Sequence, residues 1–446
     1  MNIALVVLDT LRKDAFEKHF DWLPGRYYSN AWSTSHWTVP VHGSLFTGKY
    51  PSEIGVYAGA QSLDCEQKVL AERLTTKGYT TRAYSCNVNI SSLYGFDRGF
   101  QEFELLGNHD LMHWHDPDLY DWSEFMREFP AEHGRKRYLK ALKECIFSDH
   151  STIPSLLNGI KFKFDLNKKI FKNKDMGSNS VLKKINETDF GNQEFLFLNL
   201  MEAHAPYRIP KKYRDKDDYE KPENPLNSTE NTNMEPVKRR YDNAVEYLSD
   251  KYREIFNELK EEFEYIITIS DHGELLGEHG FYEHAHGLYP ELVNVPLSIY
   301  GPQTNTEENL KMVSLINIHQ TILDLARVNS VSEEQNILSE PLPNEFISEC
   351  HGFPYPNRHK KKMEDFGIQN KEIKKYVENL NAIALSDDYY GYQTVDGFVD
   401  VGNCPIDDPQ EKLDELVGEL TRRTVNWEGQ EVPESVETSL EDLGYI

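Results

Sequence analysis

The feature that most limits the fold is a set of short, uninterrupted apolar runs separated by helical patterns. They are IALVVLD (3–9), TTRAYS (80–85), FLFLNLM (195–201) and YIITIS (265–270), with PLSIYGP (296–302) as a fifth. A strand with one wet face alternates polar and apolar residues, whereas runs without alternation belong to strands covered on both faces, as in a mainly parallel sheet. Between the runs, Tyr241, Ala244, Val245, Leu248, Tyr252, Ile255, Phe256 and Leu259 recur at three- and four-residue intervals, one apolar helical stripe just before YIITIS. VSLINIHQTILDLAR (313–327) reads as another helix. The expected class is α/β: a mainly parallel central sheet flanked by helices, with ligand sites at the C-terminal ends of the strands.

A chain of 446 residues has room for two or three domains, or for one large core with an appendage. The α/β alternation predicts a main unit over 1–330. After about Val328 it fades, which predicts a smaller, more irregular C-terminal subdomain over 331–446. Residues 105–192 differ in composition, with HWHDPDLYDW, basic helical stretches and KNKDMGSNS, and read as an insertion. A substrate-selecting lid and a peripheral helical hairpin fit that segment equally. Residues 212–235, rich in Asp, Glu, Asn and Pro, read as a mobile loop.

Composition excludes several function classes. With 48 Lys+Arg against 74 Asp+Glu the net charge is −26, which repels a nucleic-acid backbone or an anionic lipid surface, so no nucleic-acid partner is expected. A high-salt cytoplasm and plain solubility both fit that acidity. Cys65, Cys86, Cys145, Cys350 and Cys404 are odd in number and show no CxxC spacing, against a disulfide framework or a zinc knuckle. The first apolar run lacks a basic leader and ends on an acid, so it reads as a strand rather than a signal peptide. No stretch approaches the ~20 apolar residues of a membrane span, and a cytoplasmic location is expected.

Acids, hydroxyls and imidazoles gather where the runs end. Asp9 closes the first, a position that also suits a helix cap. In STSHWTVPVHGSLFTGKYP hydroxyls crowd around His36, Thr38, Pro40 and His42, and composition does not choose a nucleophile among Ser33, Thr34, Ser35 and Thr38. MEAHAPY places His204 just beyond the third run. The strongest window is TISDHGELLGEHGFYEHAHG, where a buried strand leads into Asp271 and His272, followed by His279, His284 and His286. Carboxylate oxygen plus imidazole is a donor set for Zn, Mn, Mg or Ca.

Taken together and in this order, VLDTLR, WTVPVHGSLFTGKYPSEIGV, MEAHAPY, SDHGELLGEHG and NVPLSIYGP resemble the sulfatase family of the alkaline-phosphatase superfamily over about residues 1–330. The resemblance implies a mainly parallel sheet with a small C-terminal subdomain, and a divalent metal beside a nucleophile at a helix N-terminus. Carried over residue by residue, it implies one metal ion held by Asp9, Asp271 and His272, with Thr38 as nucleophile and His204 and His284 as catalytic contacts. Asn87, His42 and His286 become substrate contacts, with His286 able to exchange roles with His284, and amides after Pro40 add donors. A second metal is not implied, because Leu200 stands where two-zinc relatives carry an Asp.

One departure is decisive for chemistry. Sulfatases carry Cys-x-Pro-x-Arg, whose Cys becomes formylglycine, and this chain has Thr38-Val39-Pro40-Val41-His42. A formylglycine hydrate expels sulfate by breaking its own C–O bond, a route closed to a threonine ester. The implied activity is therefore hydrolysis of phosphate or phosphonate esters of small molecules, glycans or lipids. The alternatives are sulfate-ester hydrolysis or phospho-group transfer in polysaccharide or lipid metabolism. A non-catalytic anion or glycan binder would have no need of the full metal set.

Overall fold

The computed structural model describes residues 1–106, 175–214, 232–302, 304–328, 335–339, 344–365, 367–385 and 389–425. Its central sheet contains β1 (Ile3–Leu8), β2 (Arg26–Trp32), β3 (Thr80–Ser85), β4 (Glu102–Leu105), β5 (Glu194–Leu200), β6 (Tyr265–Ile269), β9 (Leu297–Tyr300) and β10 (Glu307–Ser314). The order is β10-β2-β9-β6-β1-β5-β3-β4, and every pairing is parallel except those of β9 with β6 and β2. β7 (Leu275–Leu276) and β8 (Tyr282–Glu283) form a small antiparallel ribbon beyond β6.

The apolar runs are explained by two covered faces. In β1, Ala4, Val6 and Leu8 enter a cluster with the stripe of the long helix Glu235–Glu262, while Ile3, Leu5 and Val7 enter another with the helices Thr38–Thr47 and Ile316–Leu325. All eight residues of the expected stripe from Tyr241 to Leu259 are buried. A truncation such as Leu248→Ala would remove roughly 2–5 kcal/mol.

Two expectations are corrected, and one strand that the sequence does not announce is added. VSL at 313–315 is not helical: Val313 and Ser314 end β10, paired with β2, and the helix starts at Ile316. A few apolar residues before a helix have no period of their own, and pairing with β2 decides them. β2 itself, RYYSNAW, lacks an apolar run, yet it is held between β9 and β10 with Tyr28, Ala31 and Trp32 buried. The C-terminal part is not irregular: β11 (Glu345–Cys350), β12 (Leu380–Leu385), β13 (Tyr389–Thr394) and β14 (Gly397–Val401) form an antiparallel meander covered by the helix Pro409–Glu419. Tyrosine-rich β13 and the polar helices Pro356–Asp365 and Asn370–Lys375 between β11 and β12 carry a weak periodic signal.

The small sheet docks on the main one. Trp32 stacks on Tyr390 with centroids 4.3 Å apart, and the Glu349 N–H donates to the Thr34 carbonyl at 2.9 Å. Of the expected insertion, 107–174 lie outside the described residues, and the helix Ser178–Glu187 that follows packs through Val181 and Ile185 beside β5 and the long helix. Residues 215–231 of the expected loop also lie outside. Cys65, Cys86, Cys350 and Cys404 are free thiols, and among the described residues no helix is long and apolar enough to cross a membrane.

Candidate active site

Because β1, β3, β5 and β6 are parallel neighbours, their C-terminal ends share one edge, and each delivers a polar residue there. Asp9 follows β1, Asn87 follows β3, His204 follows β5, and β6 runs out into Ser270, Asp271 and His272. Thr10, at φ +58, adopts a left-handed turn that β-branched residues rarely accept, just where Asp9 leaves the strand. Tyr241 holds this turn by donating to the Thr10 carbonyl at 2.9 Å and accepting from the Arg12 N–H at 2.8 Å. Gly273 is required by close approach: a Cβ there would lie 2.0 Å from the Glu291 carbonyl oxygen.

Asp9, Asp271 and His272 each offer a ligand atom within 4.8 Å of the others, and all three are buried. His272 Nε2 lies 3.5 Å from Asp271 Oδ2 and 3.8 Å from Asp9 Oδ1. The outer oxygens are fully engaged. Asp9 Oδ2 accepts from Asn87 Nδ2 at 2.8 Å and Asn199 Nδ2 at 3.2 Å, and Asp271 Oδ1 accepts from the N–H groups of His272 at 3.0 Å and Thr10 at 3.3 Å. The inner oxygens, Asp9 Oδ1 and Asp271 Oδ2, are buried with no hydrogen-bond partner among the described residues. Burial pushes the Asp9 carboxyl up to about 6 against the opposing asparagine bonds, and burial plus the Asp9 charge pushes Asp271 up as well.

Two adjacent buried carboxylates with unpaired inner oxygens are costly unless a cation or a proton joins them. His272 completes the set. Its Nδ1–H donates to the Gly273 carbonyl at 2.9 Å, which leaves the Nε2 lone pair facing the carboxylates, as a metal-binding imidazole requires. The donor set fits a divalent ion.

Thr38 opens the helix Thr38–Thr47, two residues before Pro40, so the first-turn amides belong to Thr38 and Val39 and not to residues after Pro40. Pro40 is tolerated because an N–H at that position has no acceptor within the helix. The Thr38 hydroxyl donates to His272 Nε2 at 3.2 Å. Among its rivals, Ser33 Oγ donates to the Asp271 carbonyl at 2.5 Å and Ser35 Oγ to the Glu349 carbonyl at 2.7 Å, both in loop support.

The other expected residues separate into two groups. His204 and His284 join the cluster: their rings are 5.1 Å apart, and the His284 ring is 4.4 Å from that of His272. The His204 Nδ1–H donates to the Ala205 carbonyl at 2.6 Å. The His284 Nδ1–H donates to Glu274 Oε1 at 2.9 Å, and although burial alone would lower its pKa, the Glu274 charge raises it. Asn87, expected to touch substrate, holds Asp9 instead. His42 lies one turn behind Thr38, donates from Nδ1 to the Thr38 carbonyl at 2.8 Å and points its ring edge-on at Phe46, Phe96 and Phe197, so it supports the helix start. Burial lowers its pKa to about 4 and keeps it neutral. His286 packs beside Phe353 and Tyr376 at 5.4 and 5.3 Å and does not exchange with His284.

Two contributors escaped the sequence reading. Asn199 was visible as the one amide inside FLFLNLM, and Glu274 as the acid two residues beyond His272. Arg12 braces Glu274 by donating from Nη1 to its carbonyl at 2.9 Å.

A family profile described as Sulfatase matches residues 18–328. The chain belongs to the sulfatase family. It is an ester hydrolase, and members of this family bind a divalent metal. No curated protein is similar enough to match it. Among solved structures, 99% of the chain superposes on the phosphonate monoester hydrolase of Agrobacterium radiobacter (TM-score 0.59, 15% identity, 95% of that chain). The same share superposes on the phosphonate monoester hydrolase of Silicibacter pomeroyi (0.61, 13%, 94% of that chain) and on a putative sulfatase from Bacteroides thetaiotaomicron (0.56, 13%, 90% of that chain). At these identities the likeness establishes the shared fold.

Proposed function

We propose that this sulfatase-family hydrolase cleaves phosphate or phosphonate esters, with Thr38 as the attacking group in a site that requires a divalent cation. The observation that carries the reading is the Thr38 hydroxyl at a helix N-terminus, 3.2 Å from His272 Nε2 and beside the Asp9–Asp271 pair. When bound by Asp9, Asp271 and His272, the cation would offset negative charge on an ester oxygen and make the Thr38 hydroxyl easier to ionise.

The chain's own groups supply the rest. Without a cation His272 Nε2 accepts the Thr38 hydroxyl hydrogen and holds the oxygen beside the ligand set; with a cation bound, that lone pair would be taken up by the metal. Thr38 would ionise by releasing its hydroxyl proton to water, and attack by the Oγ1 alkoxide on phosphorus would form the Oγ–P bond as the P–O bond to the ester oxygen breaks. His284, held through Nδ1 by Glu274, is placed to carry a proton on Nε2 for that oxygen, and Glu274 favours the protonated ring. Amides of the first helical turn add donors for the transferring group. Water then cleaves the phosphothreonine and returns Thr38.

The chemistry of the second step favours phosphorus over sulfur, because a threonine sulfate ester lacks the C–O elimination open to formylglycine. The test is kcat/KM for one aryl leaving group carried as phosphate monoester, phosphodiester, phosphonate and sulfate. Faster turnover of a phosphorus ester is expected; a clear sulfate preference would overturn the argument from Thr38.

A further inference from the structure

The segment 33–36 runs into the Thr38 helix and fastens a different part of the chain at nearly every step. Ser33 Oγ donates to the Asp271 carbonyl at 2.5 Å, Ser35 Oγ donates to the Glu349 carbonyl at 2.7 Å, and the His36 Nδ1–H donates to the His284 carbonyl at 2.9 Å. The first two bonds hold the ligand loop after β6 and the end of β11. The third joins the nucleophile loop to the loop that carries the leaving-group acid.

The backbone of His284 lies outside any regular element. β8 ends at Glu283, which takes φ +61, and residues 284–289 belong to no helix or strand. Glu274 orients the His284 ring from its Nδ1 side, and the His36 bond holds the main chain beneath that ring. The bond is close to the chemistry. Thr38 follows His36 by two residues, its hydroxyl is 3.2 Å from His272 Nε2, and the His272 ring is 4.4 Å from the His284 ring. In-line attack needs the attacking oxygen and the proton donor in fixed relation, and misplacement by about 1 Å can cost about 10²-fold in rate.

Packing alone does not account for a histidine at this position. His36 is fully buried, burial lowers its pKa to about 3 so that the ring is neutral, and its Nε2 has no hydrogen-bond partner among the described residues. A buried ring nitrogen without a partner is unfavourable, and leucine would fill a similar shape without one. What histidine supplies and leucine lacks is the Nδ1–H.

We propose that His36 is a positioning residue for proton delivery: its Nδ1–H fixes the backbone of His284 relative to Thr38, so that the His284 ring meets the departing ester oxygen when Oγ1 attacks. The proton on His284 Nε2 passes to that oxygen as the P–O bond breaks, and His36 keeps its own proton throughout. The inference rests on the reading of Thr38 as attacking group and His284 as acid.

A departing 4-nitrophenolate is a weak base and gains little from a proton, whereas phenolate gains much more. A defect in proton delivery therefore grows with the basicity of the leaving group, and a general loosening of the site does not. The full chain with divalent metal is assayed on the ester class that the preceding assay ranks first, carried on 4-nitrophenol and on phenol. Positioned proton transfer contributes about 10²–10⁴-fold, so His284→Ala is expected to lose about 100-fold more on the phenyl ester than on the 4-nitrophenyl ester, in kcat rather than KM. His36→Leu, which keeps the shape and removes the donor, is expected to lose about tenfold more on the phenyl ester, again in kcat. His36→Asn carries an amide N–H near the place of Nδ1 and is expected to bring the ratio between the esters back to within about twofold of wild type. His36→Gln puts its amide near the place of Nε2 instead and is expected to behave like His36→Leu, which keeps the test in force if the leucine variant does not fold. Equal losses on both esters in His36→Leu, or the same ratio in His36→Asn and His36→Gln, would overturn the inference while a discriminating His284→Ala leaves the acid assignment standing. If His284→Ala does not discriminate either, the acid assignment fails and this inference falls with it.

Discussion

The two ends of β1 meet their polar residues in opposite ways. At its start, Asn2 is closed off: Nδ2 donates to the carbonyls of Gly191 at 2.8 Å and Glu262 at 2.9 Å, and Oδ1 accepts from the Glu194 N–H at 3.0 Å. At its far end, Asp9 uses one oxygen on Asn87 and Asn199 and leaves the other buried without a partner, next to the equally unpaired Asp271 Oδ2. The start therefore works as a clamp between the ends of three elements, whereas the far end leaves two buried carboxylate oxygens without a hydrogen-bond partner among the described residues. A satisfied buried polar group contributes stability, whereas two adjacent unsatisfied buried carboxylates cost stability unless a cation or a proton joins them.

That contrast can be broken by mutation. The largest expected effect is at the far end: Thr38→Ala should keep the melting temperature and reduce kcat/KM by at least about 10⁴-fold, as nucleophile removals do. Near-normal turnover would move the role to another hydroxyl. Next is the cation itself. Adding divalent metal to chelator-treated protein at 100 times its Kd should stabilise it by about 2.7 kcal/mol, read as a rise in melting temperature. Asp9→Asn combined with Asp271→Asn should abolish that rise, and persistence of the rise would place the ion elsewhere.

Smaller effects sharpen the comparison. Asn87→Ala removes a donor from Asp9 and should weaken metal affinity about 10–100-fold while leaving the fold intact, measured by titration calorimetry. Asn2→Ala should do the reverse, lowering stability by about 1–3 kcal/mol with kcat/KM within about twofold of wild type. A drop in turnover there would show that the clamp reaches the site.

Glu202 offers the finest test, because it is a buried acid with an unpaired Oε2 but stands outside the three-ligand cluster. Its Oε1 accepts from the Ser178 N–H at 2.8 Å, and burial, with the neighbouring Asp175 charge, raises its pKa from 4.5 to about 7. A raised acid binds its proton more tightly when folded, so its stabilising effect is complete below pH 4.5 and is lost as pH rises through about 7. Glu202→Gln should flatten the decline of melting temperature over that window. An unchanged slope would mean that Glu202 is not the group that titrates.

Sequence alone determined the α/β class, the buried strands and the helix stripe, since continuous apolar runs and a 3.6-residue period follow from which faces are covered. The resemblance to sulfatases pointed to Asp9, Asp271 and His272 as one group, and the chain brings them together because each follows a strand of one sheet and parallel strands share an edge. Tertiary structure alone decided the rest. β2 and the start of β10 exist through pairing and not through local propensity. Asn87 and His42 became supports, and Glu274 became the partner of His284, because a hydrogen bond depends on where two distant side chains meet. His284 and His286, two residues apart in one motif, were separated because His284 meets the His272 ring and His286 meets Phe353 and Tyr376 from the C-terminal part of the chain, whose sequence carries no sign of where it docks.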